Sequence, residues 1–423
     1  MMTAIEYPRL GEKIYRQRLD NGLELTVVSK PLHVRSFAIF AVRYGGMDMR
    51  FQLGGGWLDT PAGIAHYLEH KMFDMEDCNV LQEFAKNGAS DNAFTSNTIT
   101  AYYVECTEHF YDNLRLLLRF VSVPYFTEES VAKEQGIIAQ EIRMIEDDPN
   151  WQLYKDLLEC LYQDSPARIP IAGSVESIRQ ITPQTLYDCH KAFYTPANMT
   201  LVCVGNLDPD KIAAIAEELL PKESGPAIPR DYGRTEDMSP VKRESRRKME
   251  VSMPMFLAGF KFTPLPGGDE YLRKSIIGDL ACDALFGGSS PLYTRLYAEG
   301  VINSSLGGNF DTLPGVAYLY IGGDVKEPCR VVDELLAEAK RLGEQGVDEA
   351  FFQQIRRAAY GRMVRGLNSF ENIGISMAEG YFRGTDYYRF PAVFESVTKA
   401  DVEAFLRETV TEERIAVSMI DPL

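Results

Sequence analysis

The stretch ITPQTLYDCHKAFYTPANMTLVCV, residues 181–204, has a counterpart in VTKADVEAFLRETVTEERIAVSMI, residues 397–420, with no gap and a constant offset of 216. Ile181 falls on Val397, Thr182 on Thr398, Leu186 on Val402 and Leu201 on Val417. In each copy a run that reads as a helix enters a final apolar strand. A helix–strand pair met twice at fixed spacing points to a duplicated domain.

Between the copies, residues 221–247 are rich in Pro, Gly and charge and lack apolar periodicity, as in Glu223-Ser224-Gly225-Pro226. This reads as a linker, with a first domain over 1–220 and a second over 248–423. A chain of 423 residues suffices for two cores. Upstream, residues 14–19 and 23–29 alternate around Asp20-Asn21-Gly22, a hairpin signal, and residues 36–42 read as a further strand. Thr60-Pro61 offers a helix N-cap and a first-turn proline, predicting a helix that runs through Phe73. A second helix over 79–86 stops at Asn87-Gly88, and strands over 91–95 and 98–106 follow. Residues 108–122 are helical, with Leu114, Leu117, Leu118 and Val121 on one face, and Thr127 caps the next helix. Strands, then helices, then strands give an α+β fold of two homologous domains, each a mainly antiparallel sheet packed by helices.

Apolar residues make up 45% of the chain and charged residues 25%, as in an ordinary soluble protein. The net charge of −17 argues against nucleic acid or an anionic membrane as partner. The N-terminus lacks a basic stretch followed by an apolar run, and no apolar segment has membrane length, so no signal peptide and no membrane span are expected. The seven cysteines are scattered without a Cys-x-x-Cys pair and read as reduced thiols. A cytoplasmic, bacterial-type enzyme fits these features.

The string His66-Tyr67-Leu68-Glu69-His70 carries the chemistry. On a helix, residues four apart share a face, so both imidazoles reach one metal ion. Glu69 sits beside the metal, angled to hold a water and take its proton. This is the inverted order of the thermolysin-type motif. The bland alternative, two polar residues on a half-exposed helix, is weakened because two of only five histidines fall in this pattern. Ile64, Leu68 and Met72 supply a packing face beside the histidines. A catalytic zinc needs a third protein ligand. Glu134 and Glu141, seven apart on the Thr127-capped helix, are the best donors, with Glu146 a competitor; composition does not choose among the three.

The run Gly63-Ile64-Ala65-His66-Tyr67-Leu68-Glu69-His70-Lys71-Met72-Phe73 resembles the signature of the pitrilysin, insulin-degrading enzyme and mitochondrial processing peptidase family. The resemblance continues through residues 88–95 and 134–141, then Asp147-Asp148-Pro149 and the stretch from Phe193 to Met199. It implies a zinc metalloendopeptidase built as half of a clamshell, with one Zn²⁺ per chain held by His66, His70 and Glu141. By the same likeness Glu69 is the general base and Glu134 a supporting carboxylate. Asn92, Ala93 and Phe94 would lie on an edge strand that pairs with substrate backbone. The resemblance is strongest to short bacterial members associated with elongation factor P aminopentanol modification, which occur beside a non-zinc homologue.

At the offset of 216, His66, Glu69 and His70 fall on Cys282, Leu285 and Phe286, and Glu141 on Arg357, so no second metal site is expected. Self-sufficient members of the family take an Arg and, seven residues on, a Tyr from the second half. Here Arg295 is followed at that spacing by Ile302, and the other register gives Tyr297 and Ser304. The incomplete pair implies a heterodimer with a homologous non-zinc subunit that supplies these groups, a homodimer being the other arrangement. His33, His109 and His190 read as structural or solvated, and Gly287-Gly288-Ser289-Ser290 lacks the ending of a phosphate loop. The aromatic run 381–388 reads as core or interface, and the basic run 242–248 as a solvated face.

Overall fold

The computed structural model describes residues 2–76 and 80–423. Its strands are β1 (Thr3–Tyr7), β2 (Glu12–Arg18), β3 (Glu24–Ser29), β4 (Ser36–Val42), β5 (Arg50–Leu53), β6 (Gly56–Asp59), β7 (Ser90–Thr95), β8 (Thr100–Cys106) and β9 (Met199–Gly205). The later ones are β10 (Glu244–Met249), β11 (Met255–Phe262), β12 (Gly307–Leu313), β13 (Val316–Asp324) and β14 (Ile415–Pro422). The helices of the first half are α1 (Ile64–Met72), α2 (Val80–Lys86), α3 (Phe110–Ser122), α4 (Glu128–Glu146), α5 (Pro149–Leu161), α6 (Val175–Ile178), α7 (Pro183–Phe193) and α8 (Pro209–Leu219). Those of the second are α9 (Asp269–Phe286), α10 (Pro291–Ala298), α11 (Pro328–Gln345), α12 (Glu349–Gly366), α13 (Phe370–Phe382), α14 (Phe390–Glu395) and α15 (Lys399–Thr409).

Two compact units result. Residues 1–142, 169–232 and 364–388 form the first; residues 143–168, 233–363 and 389–423 form the second. The first unit holds a seven-stranded sheet in the order β1-β2-β3-β9-β4-β8-β7, and the second a five-stranded sheet in the order β10-β14-β11-β13-β12. In each, the strand that opens the shared part pairs parallel with its neighbour (β3 with β9, β10 with β14), and every later pair is antiparallel. The α+β reading therefore stands.

The expected division at 220 and 248 differs from this one. The boundary at 232/233 falls inside the stretch read as a linker, whose last residues form β10. Two helices also cross over. α5, from the first half of the sequence, packs on β10, β11 and β14 in the second unit, while α13 packs on β4 and β9 in the first. Both are 13 residues long, and their starts lie 221 apart. The offset of 216 holds for α7 with α15 and for the starts of β9 and β14, so it does not extend upstream as a constant.

Local chemistry explains the central strand. Every residue of β4 is buried. Alternate residues of a strand face opposite sides. Phe37 and Ile39 meet α13, where Gly374 leaves room: a Cβ there would lie 2.4 Å from the Phe37 ring. Ala38, Phe40 and Val42 join the cluster containing Ile64 and Leu68 of α1 and Leu114 and Leu117 of α3. A continuous apolar run is what a strand covered on both faces requires. Thr182 and Thr398, matched in the repeat, each close a capping box on the helix that follows, α7 and α15.

α1 starts later than the sequence predicted. Thr60 does not cap it; its hydroxyl donates to the Met49 carbonyl. The N-cap is Gly63, in the left-handed region at φ 93°. A Cβ on Gly63 would sit 2.4 Å from the carbonyl oxygen of Ala172, and Ser177 Oγ donates to the Ala62 carbonyl at 2.8 Å. The close approach of residues 172–177 thus decides where α1 begins. The predicted start of the second helix, Asn79, lies outside the described residues; α2 is described from Val80.

Candidate metal centre

α1 buries Ile64, Ala65, Leu68 and Met72 against the sheet, which turns His66 and His70 toward α4. Tyr67 ties the two helices, its hydroxyl donating to the Val131 carbonyl of α4. α4 is capped as predicted: Ser130 N–H donates to Thr127 Oγ1 at 3.1 Å.

His66, His70 and Glu141 each offer an atom to a common point, all within 4.8 Å of one another. Among the described residues this is the one group of three or more such donors. His66 Nε2 lies 3.4 Å from one Glu141 carboxylate oxygen, and His70 Nε2 lies 3.6 Å from the other. The imidazole rings stand edge to face, with centroids 4.6 Å apart. Ligands about 2.05 Å from a tetrahedral zinc are separated by about 3.3 Å, and both histidine–glutamate contacts lie near that spacing. Two imidazoles and one carboxylate also match the ligand chemistry of catalytic zinc.

The tautomer of His70 is set by Glu134. Its Nδ1 lies 3.0 Å from Glu134 Oε1, so Nδ1–H donates to the carboxylate and the Nε2 lone pair faces the metal position. His66 Nδ1 is buried without a hydrogen-bond partner. Glu146, the third candidate of the sequence reading, is exposed and outside the cluster.

The electrostatics favour a cation. Burial opposes charge on His70, yet the Glu134 hydrogen bond and the charges of Glu69, Glu134 and Glu141 outweigh it and raise its proton affinity. The His70 hydrogen bond holds Glu134 below the usual carboxylate range, and the His66 contact does the same for Glu141. A metal ion entering this pocket displaces protons from its ligands, so its binding weakens as pH falls. Glu69 differs. It is buried, and burial raises its pKa against the opposing pull of a Thr95 hydrogen bond and of His66 and His70.

β7 ends the seven-stranded sheet, among the described residues paired with β8 alone, and on its outer edge the Ala93 N–H donates to Asn92 Oδ1 at 2.9 Å. Asn92 is exposed on it, and Ala93 and Phe94 are half-buried. His33 and His109 are exposed; His190 is buried, stacked on Tyr194, with Nε2 3.1 Å from the Val121 carbonyl. All three are structural or solvated, as read. The sequence reading missed Thr95, whose hydroxyl donates to Glu69 at 2.5 Å. Strand alternation places Thr95 on the same face as Ala93, but nothing in the sequence shows that this face meets α1.

The second unit has no counterpart. α9 carries Asp279, Cys282 and Asp283, and Asp283 pairs with Arg362 of α12. At the offset of 221 set by α5 and α13, Glu141 falls on that Arg362 rather than on Arg357. Arg295 is engaged with both carboxylate oxygens of Glu334, and Ile302 is buried.

Comparison with known proteins places this architecture. Residues 55–175 match the family described as insulinase (peptidase family M16), and residues 180–359 match the peptidase M16 inactive domain. A protein of Bacillus subtilis called uncharacterized zinc protease YmfH is 37% identical, with each chain covered in full. The chain belongs to peptidase family M16. A crystal structure of a putative M16-like peptidase from Alicyclobacillus acidocaldarius superposes with a TM-score of 0.94 at 33% identity, covering 100% of both chains. Pitrilysin shares the fold at a TM-score of 0.79 and 18% identity; the match covers 99% of this chain and 46% of pitrilysin.

Proposed function

We propose that this chain is a zinc-dependent metallopeptidase cleaving peptides or small extended polypeptides. The convergence of His66, His70 and Glu141 with Glu69 beside them carries the reading. A zinc held there supplies Lewis acidity to the scissile carbonyl and acidity to a water. Glu69 accepts the proton of the attacking water and returns it to the leaving amine. Glu134 keeps His70 oriented through Nδ1. The outer edge of β7, at Asn92, Ala93 and Phe94, pairs with the backbone of an extended substrate, whose carbonyl replaces Asn92 Oδ1 on the Ala93 N–H; such pairing grips many sequences and excludes folded ones.

A homologous non-zinc subunit completes the site with an Arg and a Tyr, because Arg295 is held by Glu334 and the residue seven further on is the buried Ile302. A homodimer is the other arrangement. The resemblance to members associated with elongation factor P aminopentanol modification directs the search for substrate and partner to that setting. A cytoplasmic location accords with six free cysteines among the described residues, five of them buried.

A scaffold role is the rival; complex III2 from Candida albicans contains a chain that shares the fold at 14% identity and a TM-score of 0.76. The retained ligand set favours the peptidase. The test is cleavage of a mixed peptide library by the zinc-loaded chain, with Glu69→Gln as the blank, expected to be about 10²–10⁴-fold slower. Cleavage by the chain alone that vanishes in the variant supports the peptidase and removes the need for a partner. No cleavage, alone or with a non-zinc homologue added, overturns it.

A further inference from the structure

A general base must hold its carboxylate in one orientation, with one oxygen turned to the water. Glu69 is buried, and among the described residues the only hydrogen bond to its carboxylate is the one from Thr95 Oγ1 to Oε2, at 2.5 Å. That bond leaves Oε1 free to take a proton. Thr95 is in turn fixed from below. It is the last residue of β7, directly opposite Thr100, the first residue of β8. Thr100 is fully buried and its hydroxyl donates to the Tyr44 carbonyl at 2.9 Å. The two threonine oxygens are 3.4 Å apart. With the Thr100 hydrogen committed to Tyr44, the Thr95 hydroxyl donates to Glu69. β-branching restricts χ1 of Thr95, so the donor is aimed with little conformational freedom.

We propose that Thr95 is a positioning residue for Glu69, and that the strand offered to the peptide ends in the group that orients the base. This rests on the peptidase reading and adds to it a coupling: a peptide paired along β7 holds the strand whose last side chain sets the Glu69 rotamer. A hydrogen bond to a charged group is worth roughly a 10–100-fold effect when it is lost.

The experiment uses the zinc-loaded full chain, with its partner subunit if one is required, in three forms: wild type, Thr95→Val and Thr95→Ser. Thr95→Val keeps the shape and removes the donor. The expected result is a kcat lowered about 10–100-fold with KM and zinc content unchanged, and recovery to within about threefold in Thr95→Ser. Unchanged kcat in Thr95→Val overturns the proposal, as does a serine variant no better than the valine one. Crystal structures of wild type and Thr95→Val give a second readout that does not depend on turnover. A Glu69 carboxylate that keeps its orientation in the variant overturns the proposal, and one that swings away supports it. Wild-type protein that binds zinc but cleaves nothing under any condition defeats the peptidase reading instead, and the structures then decide the role of Thr95 alone.

Discussion

The two units share a scaffold and differ in chemistry. The strand order β3-β9-β4-β8-β7 in the first and β10-β14-β11-β13-β12 in the second have the same directions throughout. Each sheet is packed by a 13-residue helix, α13 or α5, drawn from the other half of the sequence. Only the first unit turns two imidazoles and a glutamate to one point. The scaffold is maintained by apolar burial, which is indifferent to whether a solvent-facing turn of helix carries histidine or aspartate. The first unit also adds β1 and β2, which make β3 an interior strand. Its counterpart β10 is a sheet edge, with Glu244, Arg246 and Lys248 exposed, charges that discourage edge-to-edge pairing.

Breaking the first unit at the start of the helix that carries His66 and His70 is expected to have the largest effect. Gly63→Ala combines a left-handed backbone with a Cβ driven against the Ala172 carbonyl. The cost is expected to be about 3 kcal/mol or more. Thermal denaturation of the variant checks this; an unchanged melting temperature would contradict the packing described at residues 172–177.

A second comparison is thermodynamic. His190 of α7 is buried and its pKa is pushed down by burial to about 4; at the offset of 216 the second unit has Leu406. With a folded pKa below the unfolded value near 6.5, the stability contribution is complete above about pH 6.5 and is lost as pH falls toward 4. The loss is on the order of 3 kcal/mol over that window. His190→Leu should flatten this part of the stability–pH curve in chemical denaturation. An unaltered slope would show that His190 is not the group responsible.

The support of the metal position is smaller in scale. Glu134→Gln leaves His70 without an ionised acceptor for its Nδ1–H and is expected to weaken zinc binding about 10–100-fold, read by competition with a chelator. The smallest effect is expected at Arg295, whose ion pairs with Glu334 and Glu299 are solvent-exposed. Arg295→Ala should change stability by less than about 1 kcal/mol and peptide turnover by less than about twofold. A large loss of turnover would mean that this arginine serves the reaction after all.

Much of this was legible in sequence because it depends on neighbours along the chain. The hairpin at Asp20-Asn21-Gly22, the capping Thr127, the helices entering the final strands β9 and β14 and the helical face of His66 and His70 are all local patterns. What was missed depends on contacts distant in sequence. Thr60-Pro61 looks like a helix start, but residues more than 100 positions away fix Gly63 in that role. Strand β1 and the short pair β5–β6 carry too little periodicity to be read. The exchange of α5 and α13 leaves no trace in composition, and Thr95 meets Glu69 only through the packing of β7 against α1. The candidate ligands needed both sources: local spacing gave His66 and His70, while only the fold separates Glu141 and Glu134 from Glu146.

The central claim is that one unit of this duplicated chain holds a zinc and the other does not. It is tested most directly by measuring zinc bound per chain, in wild type and in His70→Ala, after dialysis against trace metal. One zinc per chain in wild type and essentially none in the variant is the expected result. No zinc in wild type, two per chain, or one that persists in His70→Ala would contradict it.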